Sequence, residues 1–286
     1  MPLLPADFSF VSDLVYRQSG IVLEAGKEYL VDARLTAVIR QLGVESIESL
    51  VKKLRAPGSE LLARSVVEAM TTNETSFFRD VKPFQTLKAE VIPDLIKRRS
   101  VSRSLSIWCA ASSSGQEPYT IAMTLCEAFP ELASWRLNFV ATDLSKQMVE
   151  RARAGKFSQI EVNRGLPAMM LVKYFKKVGT DWEISEKLRK MIEFRELNLL
   201  QAWPNLESLD IVFIRNVLIY FDMATKKQIL GRIRRSMKPD GYMFLGGAET
   251  PLNLDDAFER HALDLSGCYR LKNTPVAIVK PVGVAA

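Results

Sequence analysis

The sequence predicts an α/β protein with a doubly wound, mostly parallel sheet, preceded by an N-terminal all-helical domain and interrupted by a small inserted antiparallel β subdomain. Three observations lead to this fold class. Apolar residues recur at helical spacing from residue 8 to about 70. Short apolar runs alternate with helical patterns from about 105 to 272, and the segment from about 157 to 190 breaks that alternation. Strands separated by helices are typical of a parallel sheet with crossovers.

The N-terminal part is predicted to be a small helical bundle. Its apolar residues follow i, i+3, i+4 or i+7 spacing, and Gly20, Gly43 and Pro57-Gly58 separate the sets. The sets are Val11 to Val15, Leu35 to Leu42, Ile47 to Leu54 and Leu62 to Met70. The polar stretch 71–80, TTNETSFFRD, then indicates a linker. We therefore expect a helical domain and linker over 1–80 and a second domain over 81–286.

The second domain is predicted to alternate strands and helices. Strands are expected near 105–110, 137–142, 192–196, 209–214, 241–247 and 267–272, and helices near 82–99, 117–129, 145–154 and 223–237. The segment 157–190 carries a turn signal at 164–167, a helical AMMLVKYF and a hairpin pattern, VGTDWEIS. We interpret it as an insertion. The tail after Asn273, rich in Val, Pro and Ala, is expected to be loosely held.

Composition excludes several classes of protein. The chain has 286 residues, 48% of them hydrophobic, and can bury a large core. Its net charge of +6 is spread out rather than concentrated. Three distant cysteines and a single histidine, His261, argue against a disulfide framework and a multi-histidine metal site. His261 is expected on a surface helix. The same residues lead us to expect no metal. The start is not signal-like and no run reaches roughly 18 apolar residues, so we expect a cytoplasmic protein without membrane insertion.

The stretch Ile107 to Thr120, IWCAASSSGQEPYT, carries the strongest functional signal. An apolar strand stops at three serines and a glycine, and a helix follows directly. In an open α/β sheet, ligands bind beyond the carboxyl ends of strands at such turns. The sequence has neither GxGxxG nor GxxxxGK[ST], so the dinucleotide and triphosphate fingerprints are both absent.

Two carboxylates narrow the choice of cofactor. Asp143 ends the second predicted strand, where it can accept hydrogen bonds from ribose hydroxyls. Glu117 would repel phosphate and suit a cationic amine. Together they favour S-adenosylmethionine, which has a ribose, an amino group and a sulfonium but no phosphate. Each also has a structural explanation, since Asp143 can cap the following helix and Glu117 suits a first helical turn.

Five motifs in order carry a family resemblance: TTNETSFFRD, WCAASSSGQEPYT, ATD, NLL and RNVLIYFD. In this order and spacing the chain resembles the CheR-type methyltransferases, which esterify glutamates on bacterial chemoreceptors. The resemblance extends to about Lys272. It implies a class I S-adenosylmethionine methyltransferase-like fold and S-adenosylmethionine as cofactor, with S-adenosylhomocysteine as product. It also implies the cytoplasmic helical domain of chemoreceptors as partner.

The resemblance also implies site residues. The positions matching the family's cofactor contacts are Asn73, Thr75, Arg79, Ala111, Glu117, Asp143, Asn198, Leu199, Arg215 and Asn216. Arg79 and Tyr220 match the residues nearest the reacting groups and are the candidate catalytic residues. Gln116 stands where most of the family has glutamate, and we expect the adjacent Glu117 to suffice.

Substrate recognition is predicted less specifically. Arg34 and Arg40 share a predicted helix and could attract the glutamates of a receptor helix. However, residues 1–99 hold 14 Lys/Arg against 13 Asp/Glu, so the helical domain is no concentrated basic module. In the family, the insertion can bind a receptor pentapeptide through a longer loop than 176–181 provides, so we expect a pentapeptide-independent enzyme.

The predicted reaction needs no general base, because a glutamate with a pKa of about 4.3 is already ionised at neutral pH. Two alternatives remain open at this level. Methylation of nucleic acid is suggested by the basic pI of about 9.2, but RNVLIYFD stands where such enzymes commonly carry an NPPY-like motif. A binding-only adaptor that senses the cofactor is supported by Gln116 alone.

Overall fold

The computed structural model of the chain describes residues 3–204, 206–261 and 266–272, and the tail after Asn273 lies outside these ranges. The N-terminal domain consists of α1 (Pro5–Ser19), α2 (Glu28–Leu42), α3 (Ile47–Leu54) and α4 (Glu60–Ala69). Gly20 and Gly43 end α1 and α2 with φ of 75° and 63°, a conformation that glycine adopts without a Cβ clash. Ser46 caps α3 by accepting a hydrogen bond from the Ser49 N–H.

The helix predicted after the linker is continuous but irregular. It comprises α5 (Lys82–Thr86), a π turn (Leu87–Val91) and α6 (Ile92–Arg98). Pro93 lacks an N–H, and its ring would clash with the carbonyl one turn back in a regular α-helix. The π turn Leu87–Val91 lies one turn before Pro93, where its wider backbone accommodates the ring.

Strands and helices then alternate. In chain order they are β1 (Ser104–Ala110), α7 (Gln116–Ala128), β2 (Arg136–Asp143), α8 (Lys146–Ala154), β3 (Lys156–Phe157), α9 (Gln159–Asn163), α10 (Ala168–Tyr174), β4 (Phe175–Val178), β5 (Asp181–Ile184), α11 (Glu186–Lys190), β6 (Glu193–Glu196), β7 (Leu209–Ile214), α12 (Met223–Ser236), β8 (Met237–Leu245), β9 (Phe258–Arg260) and β10 (Cys268–Leu271). Short 3₁₀ helices occupy Pro130–Ser134 and Leu218–Tyr220.

The main sheet has seven strands in the order β6-β2-β1-β7-β8-β10-β9. The first five are parallel to one another, and β10 runs antiparallel to both β8 and β9. The insertion forms a separate antiparallel sheet, β3-β5-β4. The predicted fold class, with its all-helical N-terminal domain and small inserted sheet, is thereby confirmed.

Each face of the main sheet buries its own apolar core. Phe84, Ile107 and Phe157 belong to one core, which joins α5 to α7 and the insertion to the sheet. Val15, Trp108 and Ile229 belong to the other, which joins the N-terminal helices and α12 to the opposite face. Burial on both faces explains why the strands are continuous apolar runs.

Three details differ from expectation. β8 begins at Met237 rather than near 241, because Met237 already pairs with Leu209. The register then shifts, and pairing continues from Ile211 onwards. The two- and three-residue strands β3 and β9 are too short to leave a periodic signal. His261 follows β9 instead of lying on a surface helix, and its Nε2 lies 2.8 Å from Glu90 Oε2. None of the described helices combines the length and apolarity needed to cross a membrane.

Candidate functional site

A pocket of about 860 Å³, counting its open mouth, lies beyond the carboxyl ends of β1, β2, β6 and β7. Its wall is built from the end of α1, the linker and the segments that follow these strands. Ten of the eleven residues predicted to bind cofactor or to act in catalysis line it, namely Thr75, Arg79, Ala111, Glu117, Asp143, Asn198, Leu199, Arg215, Asn216 and Tyr220. The structure therefore brings them together, while their contact with a cofactor stays a prediction.

Asn73 is the predicted residue that does not line the pocket. Its carbonyl oxygen accepts a hydrogen bond from Ser113 Oγ at 2.8 Å, and its Oδ1 accepts one from Thr71 Oγ1 at 3.1 Å. Asn73 thus joins the linker to the turn after β1 from behind the pocket wall.

Arg34 and Arg40 lie on α2, outside the pocket-lining set. The guanidinium of Arg34 donates to the Met70 carbonyl oxygen at 2.5 Å and to Thr72 Oγ1 at 3.0 Å, so it holds the start of the linker. The side chain of Arg40 is exposed.

The turn between β1 and α7 is unusually tight. Ala111, Ser113 and Gly115 all have positive φ, at 52°, 48° and 96°. A Cβ on Gly115 would lie 3.0 Å from the Cβ of Ala152, so close packing as well as conformation favours glycine there. The sharp turn leaves Ala111, Ser113 and Glu117 on the pocket wall, at the N-terminal end of α7.

Asp143 ties this turn to the end of β2. Its Oδ2 accepts from the Ser113 N–H at 2.8 Å and its Oδ1 from the Ser145 N–H at 2.9 Å. Burial raises the pKa of the Asp143 carboxyl above its usual range, against the opposing effect of these N–H donors. A carboxylate has about four acceptor sites, so acceptor capacity remains for a hydroxyl donor in the pocket.

Arg215 lies between two carboxylates. Its guanidinium pairs with Glu117 Oε2 and with Asp80 Oδ2, the latter at 2.7 Å, and also donates to the Arg79 carbonyl oxygen. The Arg215 side chain is 1% exposed, and its Nε has no hydrogen-bond partner among the described residues. The three ionised groups sum to one negative charge, so this corner of the pocket suits a cationic group beside a hydrogen-bond acceptor.

The linker reaches the pocket through strained backbone. Phe78, Asp80 and Val81 have φ of 50°, 64° and 29°, values that residues with a Cβ rarely adopt. Arg79 lies within this stretch, lines the pocket and donates to the Glu74 carbonyl oxygen at 3.0 Å. Strain of this kind persists only where the surroundings impose it, and it is typical of functional sites.

Gln116 does not line the pocket, unlike its neighbour Glu117. It is 1% exposed, and its Oε1 accepts from Ser114 Oγ at 2.9 Å while its Nε2 faces Glu161 Oε1 at 3.4 Å. The departure from the family pattern therefore falls on a side chain directed towards the insertion.

Sequence reasoning missed several contributors, among them three from distant parts of the chain. Ser19 and Ile21, at the end of the first helix, complete the pocket wall from the helical domain. Nothing in the sequence ties that helix end to strand ends almost two hundred residues away. Glu249 supports the segment after β7 from behind, and its one sequence signal is a carboxylate shortly after an apolar strand and two glycines.

Two family models match the chain. The model described as "CheR methyltransferase, all-alpha domain" matches residues 6–71, and the one described as "CheR methyltransferase, SAM binding domain" matches residues 73–265.

Curated relatives are similar over most of their length. "Chemotaxis protein methyltransferase 1" of Pseudomonas aeruginosa is 42% identical over 272 residues, covering 93% of this chain and 98% of that protein. "Chemotaxis protein methyltransferase Cher2" of Pseudomonas putida is 41% identical, covering 88% and 93%. "Chemotaxis protein methyltransferase" of Vibrio parahaemolyticus is 36% identical, covering 92% and 98%. A solved structure, the TehB-like SAM-dependent methyltransferase of Corynebacterium glutamicum, is 12% identical with a TM-score of 0.37, covering 62% of this chain and 86% of that chain.

Proposed function

Since the chain belongs to the CheR methyltransferase family, and is therefore an S-adenosylmethionine-dependent methyltransferase, we propose that it methylates glutamate side chains of chemoreceptors. The products would be glutamyl methyl esters and S-adenosylhomocysteine. The observation that carries the proposal is the convergence of Glu117, Asp143, Arg215 and Tyr220 on one pocket closed by both domains.

The residues of the pocket fit this cofactor. Asp143 has acceptor capacity for the ribose hydroxyls. Glu117 is a carboxylate partner for the amino group, and the unpartnered Nε of buried Arg215 can donate to the carboxylate of the methionine portion. Asn198 and Leu199 would lie against the adenine side. S-adenosylmethionine, when bound, supplies an electrophilic methyl group on its sulfonium.

Catalysis in this pocket would depend on positioning rather than on proton transfer. An incoming glutamate carboxylate is ionised at neutral pH, with a pKa of about 4.3, and is already a nucleophile. Arg79 and Tyr220 line the pocket and would orient that carboxylate towards the electrophilic methyl group that the cofactor supplies. Closing the site removes water from the carboxylate, which strengthens its interactions with both side chains.

The acceptor assignment is tested by transfer of radiolabelled methyl groups to receptor-containing membranes. We expect label on protein that base releases as methanol, the behaviour of a glutamyl ester. Tyr220→Phe should lower kcat about tenfold with little change in the Kd of S-adenosylhomocysteine, because the hydroxyl would position the acceptor carboxylate. Label on RNA instead of protein, or no label at all, would overturn the assignment.

The proposed partner is the cytoplasmic helical domain of chemoreceptors, and with that partner the enzyme would act in the cytoplasm. We keep Arg34 and Arg40 as proposed docking residues, but they are not equivalent tests. Reversing the charge of Arg34 also removes its hydrogen bonds to the start of the linker. Arg40 is exposed, so reversing its charge leaves those hydrogen bonds in place. Arg40→Glu should raise the KM for receptor and leave the Kd of S-adenosylhomocysteine unchanged. An unchanged receptor KM would remove Arg40 from the docking surface.

We also propose that methylation does not require a receptor pentapeptide. Two residues, Gly179 and Thr180, separate β4 from β5, and this short turn offers little backbone for binding an added peptide. Calorimetry with a receptor C-terminal pentapeptide should give no measurable heat of binding. Tight binding would contradict this part of the proposal alone.

A further inference from the structure

We propose that Glu249 is a positioning residue that holds the backbone after β7 in the shape that binds cofactor and acceptor. The inference deepens the proposed function, because it rests on the pocket being the cofactor site. Glu249 is not among the pocket-lining residues. It acts through the segment 216–220, which carries Asn216 and Tyr220.

The carboxylate of Glu249 accepts hydrogen bonds from five backbone N–H groups. Its Oε1 accepts from Val217 at 2.9 Å, Leu218 at 2.7 Å and Ile219 at 3.4 Å. Its Oε2 accepts from Asn216 at 2.8 Å and Gly246 at 2.7 Å. The residue is 7% exposed, so water contributes little to solvating the charge. Hydrogen bonds to a charged acceptor are about twice as strong as neutral ones, and here they replace hydration.

These bonds hold a backbone that would otherwise relax. Asn216 has φ of 57°, in the left-handed region, and its own N–H is one of the donors. The next three N–H groups begin the 3₁₀ helix Leu218–Tyr220, and first-turn N–H groups have no partner within a helix. Glu249 therefore satisfies these N–H donors and at the same time fixes the left-handed backbone conformation at Asn216.

Close packing confirms that the arrangement is specific. A Cβ on Gly246 would lie 2.7 Å from Glu249 Oε2 and 2.7 Å from Asn216 Nδ2. The backbone at Gly246 can thus approach both groups only because it has no side chain. The same approach limits how Asn216, a pocket-lining residue, can turn.

The effect extends to Tyr220, at the end of the 3₁₀ helix. Its carbonyl oxygen accepts from the Val22 N–H of the helical domain at 2.9 Å, while Glu249 holds the beginning of the same turn. Tyr220 is thereby fixed from both ends, with its side chain on the pocket wall.

The chain offers a matched control at the other end of β7. Asp210 is also a buried carboxylate, 0% exposed, and it accepts from Arg99 Nε at 2.7 Å, Lys238 Nζ at 2.8 Å and the Ser106 N–H at 2.8 Å. It lies at the amino end of the strand, away from the pocket. Asp210→Asn removes a buried charge at the amino end of β7 and leaves the segment 216–220 unchanged.

The test compares Glu249→Gln with Asp210→Asn by thermal unfolding and by calorimetric titration with S-adenosylhomocysteine. The amide of Glu249→Gln replaces one acceptor oxygen by an NH₂ group that faces N–H donors. We expect both variants to unfold at lower temperature, but only Glu249→Gln to weaken the binding of S-adenosylhomocysteine at least tenfold. Equal affinities in wild type and Glu249→Gln would overturn the proposal, as would an equal loss in both variants.

Hydrogen exchange on the wild-type protein decides the question even if Glu249→Gln does not fold. The amides of 216–219 should exchange slowly without ligand, because Glu249 already holds them. Fast exchange that slows only on addition of S-adenosylhomocysteine would overturn the proposal. The affinity and the exchange rates are both measured with the cofactor product and do not depend on the acceptor. A wild-type protein that binds S-adenosylhomocysteine but methylates no receptor would therefore contradict the proposed acceptor without affecting the test of Glu249.

Discussion

The backbone N–H of Val22 donates to the carbonyl oxygen of Tyr220 at 2.9 Å, and this contact fastens the helical domain to the segment after β7. Ile21 and Phe221 form an antiparallel bridge beside it. Asn198 Nδ2 donates to the Gln18 carbonyl oxygen at 2.6 Å. The end of α1 is therefore a structural part of the pocket wall rather than a neighbour of it.

Shortening Ile21 should weaken cofactor binding. Ile21→Ala leaves a gap in the pocket wall, and we expect the Kd of S-adenosylhomocysteine to rise about tenfold with a loss of about 2 kcal/mol in unfolding free energy. Leu50→Ala is the control, since Leu50 is fully buried among the N-terminal helices and does not line the pocket. It should cost about 3 kcal/mol of stability and leave the Kd unchanged. Equal binding losses would mean that Ile21 acts through domain stability alone.

Removing the charge of Glu117 should impair both binding and stability. Glu117→Gln leaves Arg215, which is 1% exposed, with Asp80 as its remaining carboxylate partner, and breaking a buried pair costs about 3 kcal/mol. Loss of the partner for a cationic amine should raise the Kd of S-adenosylhomocysteine at least tenfold, measured by calorimetry. Glu127→Gln, near the other end of α7, should change neither quantity substantially, because Glu127 pairs with Lys173 away from the pocket. Similar behaviour of the two variants would contradict a role for Glu117 in the site.

Two glycines of the insertion test whether it supports the linker. Gly165 and Gly179 both have positive φ, at 88° and 62°. A Cβ on Gly165 would lie 2.1 Å from the Phe77 carbonyl oxygen, whereas a Cβ on Gly179 meets nothing within 4 Å. Gly179→Ala should therefore cost about 1 kcal/mol for the backbone conformation alone. Gly165→Ala should cost more and also weaken S-adenosylhomocysteine binding, because it displaces the linker that carries Thr75 and Arg79.

Equal affinities in the two glycine variants, measured by calorimetry on folded protein, would show that the insertion does not position the linker. The buried ring of Phe77 makes that outcome unexpected. It packs edge-on against Phe157 and Phe175 at centroid distances of 5.0 Å and 5.6 Å, so the linker is anchored to the insertion directly before the strained stretch.

Asp240 predicts a pH dependence of stability. The Arg99 guanidinium holds the pKa of the Asp240 carboxyl below its usual value of 3.8. A lowered pKa in the folded state means stabilisation that is complete above the unfolded value and is lost as pH falls through the folded one. Asp240→Asn should thus lower the urea midpoint at pH 7 and at pH 5, and the difference from wild type should shrink below about pH 4. A difference that stays constant across this range would contradict the assignment to ionised Asp240.

Sequence reasoning located the pocket because its signals are local. The tight turn after β1 is visible in three serines and a glycine, and Asp143 and Arg215 directly follow apolar runs. Parallel strands bring such positions to the same edge of a sheet, so the convergence follows from the fold class. The family motifs added Thr75 and Arg79, which no periodicity would have indicated.

What the sequence could not provide depends on contacts distant in the chain. Glu249 supports Leu218 from thirty-one residues away, and no pattern connects them. Asn73 lies at a family position, but its carbonyl oxygen bonds to the turn after β1 and its side chain to Thr71, and it does not line the pocket. The polar stretch FERHALD predicts a surface helix at His261, whereas pairing of β9 with β10 places the residue after a strand. For His261, strand pairing outweighs the local sequence pattern.

The contacts between α1 and the strand ends have a kinetic consequence. Tyr16 donates to Asp222 across 206 residues, and Asn198 donates to Gln18 across 180. Contacts of such sequence separation must close very long loops, and folding slows as they come to dominate. The pocket should therefore be among the last parts of the chain to assemble and among the first to come apart. A ribosome that has released only the helical domain therefore carries no active site, and activity should appear only after the final strands emerge and contact the chain's first helix.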